Sequence, residues 1–474
     1  MTACLLWFRR DLRLTDNPAL NAALECGTPV IPVYVHDPAS EEPWAPGAAS
    51  RSWLHHSLTA LDEDLARRGS RLVVRSGPAL ETLRALIGET GAGAVAWNRL
   101  HEPAIAARDA RIEAALASDG IETTTHNAAL WSEPGQIATG SGGPYRVFTP
   151  FWRALAARLP DAPVSPAPGR IPGPRQWPAG IAVESLALRP SIAWDQGFYD
   201  AWQPGEAGAY RRLRRFLDEN LRGYGDARDR PADDGCSRLS PHLHFGEIGP
   251  RQVLQAVRRA QAGGDLPEHD AEHFLRELGW REFAHHLLHH FPQTPDQPLN
   301  AAFAAMPWRR DRDHAADLQA WQRGRTGIPI VDAGMRELWA TGWMHNRVRM
   351  IVASLLTKNL LIPWQRGARW FWDTLVDADL ASNTLGWQWV AGCGADAAPY
   401  FRIFNPVLQS QKFDAAGRYI RRWVPELAHL PGKAVHAPWT MRDAAPRDYP
   451  APIVDLAASR QRALDAFARM REDG

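Results

Sequence analysis

Residues 3–37 read ACLLWFRRDLRLTDNPALNAALECGTPVIPVYVHD, in which two short apolar runs, 3–8 and 30–37, flank a longer mixed stretch. The same rhythm continues downstream. RLVVRSG (71–77), AVAWNR (94–99) and IETTTHN (121–127) read as further strands, and residues 48–68, 78–88 and 103–119 read as the helices between them. Parallel strands need a crossover of about a dozen residues or more, usually a helix. Strand–helix alternation at this spacing therefore predicts an α/β domain built on a doubly wound parallel sheet. No GxGxxG follows the first run, so a dinucleotide clamp of the Rossmann kind is not indicated.

Beyond this region the pattern changes twice. Residues 131–205 are rich in Pro and Gly, as in PDAPVSPAPGRIPGPRQWPAG (160–180), and read as one long connecting loop. After 205 the period becomes helical. AYRRLRRFLDENL (209–221), PRQVLQAVRRAQ (250–261), EHFLRELGWREFAHHLLHH (272–290), IPIVDAGMRELWATG (328–342) and HNRVRMIVASLLTKNLL (345–361) place apolar residues at i, i+3, i+4 spacing. A chain of 474 residues exceeds one compact core. The expected division is an α/β domain over 1–130, a linker over 131–205 and a larger all-α domain over 206–474.

Composition narrows the setting. No apolar run reaches membrane-span length, no usable signal peptide opens the chain, and Cys4, Cys26, Cys236 and Cys393 form no CxxC pair. A bacterial cytosolic protein is expected. Residues 206–474 carry 36 Lys+Arg against 32 Asp+Glu and the rest 18 against 21, a contrast too small to mark a generally basic nucleic-acid binder. Any DNA contact must come from a local groove. The 21 Trp against 8 Tyr are a stronger signal, because indoles carry electrons and stack on flavins and bases.

Three segments of the helical half are unusually polar and aromatic for core helices. GWMHNRVRM (342–350) sets Asn346, Arg347 and Arg349 beside Met350. The run from Asp377 to Trp389 holds two acids, an Asn and two Trp within 13 residues. In FLRELGWREF (274–283) Glu277 stands one turn before Trp280 and Arg281, so the three share a helix face. One such face alone reads as solvated surface; three in one domain point to a site.

Together with LLWFRRDLRLTDNPAL (5–20), CSRLSPHLHFG (236–246), TGIPIVDAGMRELWATGWMHNRVRM (326–350), DADLASNTLGWQWVAG (377–392) and RIFNPVLQSQKFD (402–414), these segments resemble the photolyase/cryptochrome family, in family order over almost the whole chain. The resemblance is strongest to bacterial photolyases acting on cyclobutane pyrimidine dimers. It implies an antenna domain, a linker and a helical domain holding FAD, reduced in the active state. Tyr224, Cys236, Ser237, Arg238, Leu239 and Ser240 match the segment that holds the flavin phosphates, where serines and amides opening a helix suit an anion. The family usually carries Thr or Ser where Cys236 stands. Asp377, Ala378 and Asp379 match the acidic run at the ribityl chain and ring system, Arg349 the partner of Asp377, and Asn383 the amide beside flavin N5. Plant cryptochromes carry Asp there and animal ones Cys, so Asn383 favours repair chemistry.

The resemblance also implies an electron relay through Trp387, Trp364 and Trp308, although Trp308 stands farther from Trp321 than the family spacing suggests. The pocket for ultraviolet-damaged DNA maps to Glu277, Trp280, Asn346, Arg347, Met350 and Trp389, with Glu277 and Asn346 touching both lesion and cofactor. Arg228, Arg281, Arg402 and Gln409 complete the expected DNA contacts. Rival readings are a (6-4) photolyase and a signalling cryptochrome. His285 with His289 and His286 with His290 have the helical spacing of zinc ligands, but no third ligand falls in register, so no metal is expected. For the antenna, Ala104 and Ile105 stand where the enterobacterial folate pattern has Asn-Glu. Methenyltetrahydrofolate in another pose is favoured over a deazaflavin. A monomer without an obligate protein partner is expected.

Overall fold

The computed structural model describes residues 2–264, 266–397, 401–441 and 448–472. Five parallel strands, β1 (Cys4–Phe8), β2 (Val30–His36), β3 (Val73–Ser76), β4 (Ala94–Asn98) and β5 (Glu122–His126), form one sheet in the order β3-β2-β1-β4-β5. β1 lies at the centre, with Leu5 opposite Ile31 on one side and Val95 on the other. Both faces are covered, which is why the central runs are apolar throughout rather than alternating. Leu5, Trp7, Val33 and Val95 pack on Leu83, Leu86, Ile112 and Leu116 of helices Ala79–Thr90 and Pro103–Ser118. Leu6, Phe8 and Val30 face Leu20, Trp53, Leu58 and Leu61 of helices Pro18–Glu25 and Ala48–Ala66. The doubly wound reading of the sequence is what the chain adopts. Strand order reverses between β1 and β4, and such switch points open a crevice beyond the carboxyl ends of the strands. Arg9, Arg10 and Arg99 stand there.

The Pro/Gly-rich region is not a plain loop. It contains the helix Phe148–Ala156, because FTPFWRALA places Phe148, Phe151, Trp152 and Leu155 on one face. That face packs against Phe283 and Leu287 of helix Glu268–His290. His286 pins the same region: its Nδ1 lies 2.9 Å from the Pro134 carbonyl and its Nε2 accepts from the Tyr145 amide at 3.0 Å. Burial pushes that imidazole down to about 4. The histidine pairs that suggested zinc ligation are thus partly accounted for by chain anchoring.

Among the described residues no strand follows β5, and no helix is long and apolar enough to cross a membrane. The helices that matter are Ser240–His244, Glu268–His290, Asn346–Ser354, Trp364–Thr374, Leu380–Ala391 and Pro406–Phe413. Helix 380–391 is their hub, packed against 268–290, 346–354 and 364–374. A side chain at Gly367 would stand 2.0 Å from the Trp387 ring, so only glycine lets helices 364–374 and 380–391 approach this closely.

Candidate flavin and DNA-lesion site

The site is built on the turn between helices 364–374 and 380–391. Asp379 caps the second helix, its Oδ1 accepting the Ser382 amide at 2.8 Å. Asp377 is clasped from two sides. Arg349 donates to Oδ1 at 3.1 Å and to Oδ2 at 2.8 Å, and the Ser240 hydroxyl donates to Oδ2 at 2.7 Å. The Arg349 side chain is oriented in turn by its Nε bond to the Met344 carbonyl at 2.7 Å. Ala378 between the acids is buried. The expected Arg349–Asp377 pair is present, with one guanidinium nitrogen, Nη2, meeting both carboxylate oxygens.

Around Ser240 lie the residues read as phosphate holders. Leu239 is buried, Ser237 Oγ accepts the Leu239 amide at 3.4 Å, and Arg238 takes a left-handed backbone with φ 51° while its guanidinium sits over Trp343 at 4.7 Å. The helix that Ser240 opens is only five residues long, so its dipole is slight and the hydroxyls and Arg238 must carry the anion contacts. Cys236 Sγ lies 3.4 Å from His345 Nε2, and burial pushes its thiol up to about 12. It is a neutral, weak donor in place of a hydroxyl. Tyr224 is buried edge-on against Phe216 and Phe274. Serines and arginine for a diphosphate, with a paired acid and an amide for a polar ring edge, form a donor set that fits FAD. Asn383, half-buried, donates to the Ala368 carbonyl at 3.1 Å, which fixes its amide orientation.

The outer rim is wetter. Asn346 is exposed at the first turn of its helix, and Met350 is half-buried one turn on. Trp280 stacks on Phe148 with centroids 3.8 Å apart and planes 11° apart. Trp389 is held by its Nε1 bond to the Asp396 carbonyl at 3.0 Å, with the exposed Arg402 guanidinium 5.8 Å from its ring. Glu277 forms an ion pair with Arg228, and Arg347 pairs with Asp229 at 2.7 Å while lying 4.3 Å over Phe413. Arg228, expected among the DNA contacts, and Glu277, expected to touch lesion and cofactor, thus meet each other. Gln409 is half-buried on helix 406–413. Arg281 departs from expectation: it turns inward and donates to the Ala129 carbonyl at 2.6 Å, tying helix 268–290 to the end of the sheet domain.

Trp387 and Trp364 are fully buried and Trp308 is half-buried against the same core. The ring contacts of Trp387 run to Phe371 at 5.0 Å and to Trp321 at 6.2 Å. Trp321 was missed as a candidate, and so were Trp343, whose indole donates to Ser240 at 3.3 Å, and the histidines behind Asp379. Trp343 lies inside the segment 342–350, where its aromatic ring was the signal that could have singled it out.

Residues 4–169 match the DNA photolyase family profile, and residues 274–469 match the FAD binding domain of DNA photolyase. A deoxyribodipyrimidine photo-lyase of Agrobacterium fabrum is 48% identical over 99% of this chain and 98% of its own. The chain belongs to the photolyase/cryptochrome family. Cryptochrome-2 of Arabidopsis thaliana is 38% identical over 99% of this chain and 79% of its own length. Among solved structures, a bacterial class III photolyase from Agrobacterium tumefaciens superposes with a TM-score of 0.95 at 47% identity, covering 100% of this chain and 98% of that one. Family membership makes FAD the cofactor of this chain.

Proposed function

We infer that this photolyase-family chain is a deoxyribodipyrimidine photo-lyase, repairing cyclobutane pyrimidine dimers in DNA with light. The observation that carries the reading is the clasped Arg349–Asp377–Ser240 set lying behind a rim of Asn346, Met350, Trp280 and Trp389. Bound FAD, when reduced and excited by blue or near-ultraviolet light, supplies one electron to the dimer and recovers it after the ring splits. The protein supplies position, charge and exclusion of water. Asp377, neutralised by Arg349, adds no net charge beside the cofactor. Trp280 and Trp389 offer stacking faces, worth about 1–3 kcal/mol per base. Glu277 and Asn346 are proposed to meet the pyrimidine carbonyls, and Arg228 and Arg347 to meet phosphates on exchanging their present partners.

The choice of lesion follows from the rim. A (6-4) product needs a group returned between its bases, a task for an acid with a pKa near neutral, such as histidine. The family carries that chemistry on histidines at the positions of Asn346 and Met350, and neither an amide nor a thioether is an acid. Irradiating the purified, reduced protein with dimer-bearing oligothymidine is expected to restore thymine absorbance only in blue light. A defined (6-4) oligonucleotide is expected to stay unrepaired; its efficient repair would overturn the assignment.

For the antenna, a cavity of about 210 Å³ opens at the switch point of the sheet. Its walls include Arg10, Glu102, Ala104, Ile105, Trp44 and Trp372. The two indoles pack edge to face at 5.5 Å, and the carboxylates of Glu41, Glu102 and Asp296 on the same walls suit the N–H groups of a pterin. Methenyltetrahydrofolate is the chromophore proposed here. Chromatography of the denatured protein should release it together with FAD, and a deazaflavin would reverse the choice.

A further inference from the structure

Asp379 is met from behind by two histidines. His285 Nε2 lies 3.3 Å from Asp379 Oδ2, and His244 Nδ1 lies 3.9 Å from the same oxygen. His285 comes from helix 268–290 and is 96% buried by its side chain's 4% exposure, yet neither ring nitrogen makes a well-formed hydrogen bond. Glu102 Oε2 and His101 Nε2 are likewise buried and unpartnered. Buried polar groups without partners are costly, and several in one place call for a shared cause.

The cause is a row of ionic groups crossing from the helices to the sheet. Arg10, which follows β1, pairs with Glu102 at 2.8 Å just beyond β4. Burial raises the Glu102 carboxyl, but Arg10 and then His285 outweigh it and hold the group below the usual carboxylate range. Burial likewise opposes ionisation of Asp379, and His285, His244 and Arg281 overcome it, leaving that acid well below its ordinary value. His285 thus touches one buried carboxylate, Asp379, and its field reaches a second, Glu102. His101 faces it edge-on at 6.2 Å, and Arg10 lies beyond Glu102.

We propose that His285 is a positioning residue of the flavin site, holding Asp379 in a buried ionic row that runs through Glu102 to Arg10, so that the charge presented to the flavin is set from the sheet domain. This rests on the reading of Asp379 as a flavin-site acid. The row makes a prediction of sign. Reduced flavin gains negative charge, so removing the group that compensates Asp379 disfavours reduction, whereas removing a carboxylate from the row favours it.

The test is the two-electron midpoint potential of bound FAD in three variants. His285→Leu should lower the reduced-to-oxidised ratio at a fixed potential about tenfold, equivalent to a midpoint roughly 30 mV lower. Glu102→Gln should shift it the opposite way. His285→Gln, which keeps an N–H toward Asp379, should fall between His285→Leu and the unaltered protein. A merely structural role would move all three in one direction or none, and either result overturns the proposal. If His285→Leu fails to hold FAD, the opposed shifts of His285→Gln and Glu102→Gln decide. Failure of the unaltered chain to bind FAD would instead overturn the flavin reading beneath it.

Discussion

The interior and the rim of the site use the same residue types in opposite ways. Inside, Asp377 is 3% exposed and meets three donor contacts, from Arg349 and Ser240, all of them within the chain. At the rim, Arg228 with Glu277 and Arg347 with Asp229 are pairs whose side chains are 20–34% exposed. A desolvated pair loses several kcal/mol when one partner goes, whereas a solvated pair is worth about 0–1 kcal/mol and can exchange partners cheaply. The interior is arranged for a cofactor that stays. The rim pairs suit the proposed polyanion, which comes and goes.

The largest effect should follow from breaking the interior pair. Asp377→Ala leaves Arg349, itself 24% exposed, without its carboxylate, at a cost of about 1–3 kcal/mol. Purified protein should then carry less than about a tenth of the normal FAD per chain, measured by release on denaturation. Normal flavin content would dissolve the distinction drawn above.

The interior also holds the tryptophans proposed as the electron path. Trp364→Phe should block light-driven reduction of oxidised flavin by external thiol while leaving repair intact once the flavin is reduced chemically. Trp321→Phe is the informative companion, because Trp321 and not Trp364 has a ring contact with Trp387. Block by Trp321→Phe alone would place the relay along that contact.

A smaller effect is expected at the rim. Glu277→Ala should lower repair yield about tenfold, the worth of one hydrogen bond to a charged group, while flavin content changes little. Equal losses of both would place Glu277 with the interior, and no loss of either would remove it from the mechanism.

Much of this was legible in the chain. The five strands lie within the sequence-read runs, because alternation of short apolar and longer amphipathic segments is a local property. The members of the interior clasp were named in advance because each sits in a tight motif. The helix at 148–156 was masked by surrounding Pro and Gly, although its own four apolar residues have helical spacing. Arg281 was misplaced for another reason: helix periodicity puts it beside Glu277 and Trp280 but does not say which neighbouring segment lies over that face.

What the sequence determined by itself was the set of elements, the order of the motifs and the chemistry of each side chain, all of which depend on neighbours a few residues away. Only the tertiary structure decided the pairings. Arg228 meets Glu277 across 49 positions and Asp377 meets Ser240 across 137, while Arg10 and Glu102 belong to the sheet domain and His285 to the helices. Side chains this far apart in the chain acquire their charge state and orientation from burial and from one another. Neither exists until helix 380–391 is packed against its neighbours.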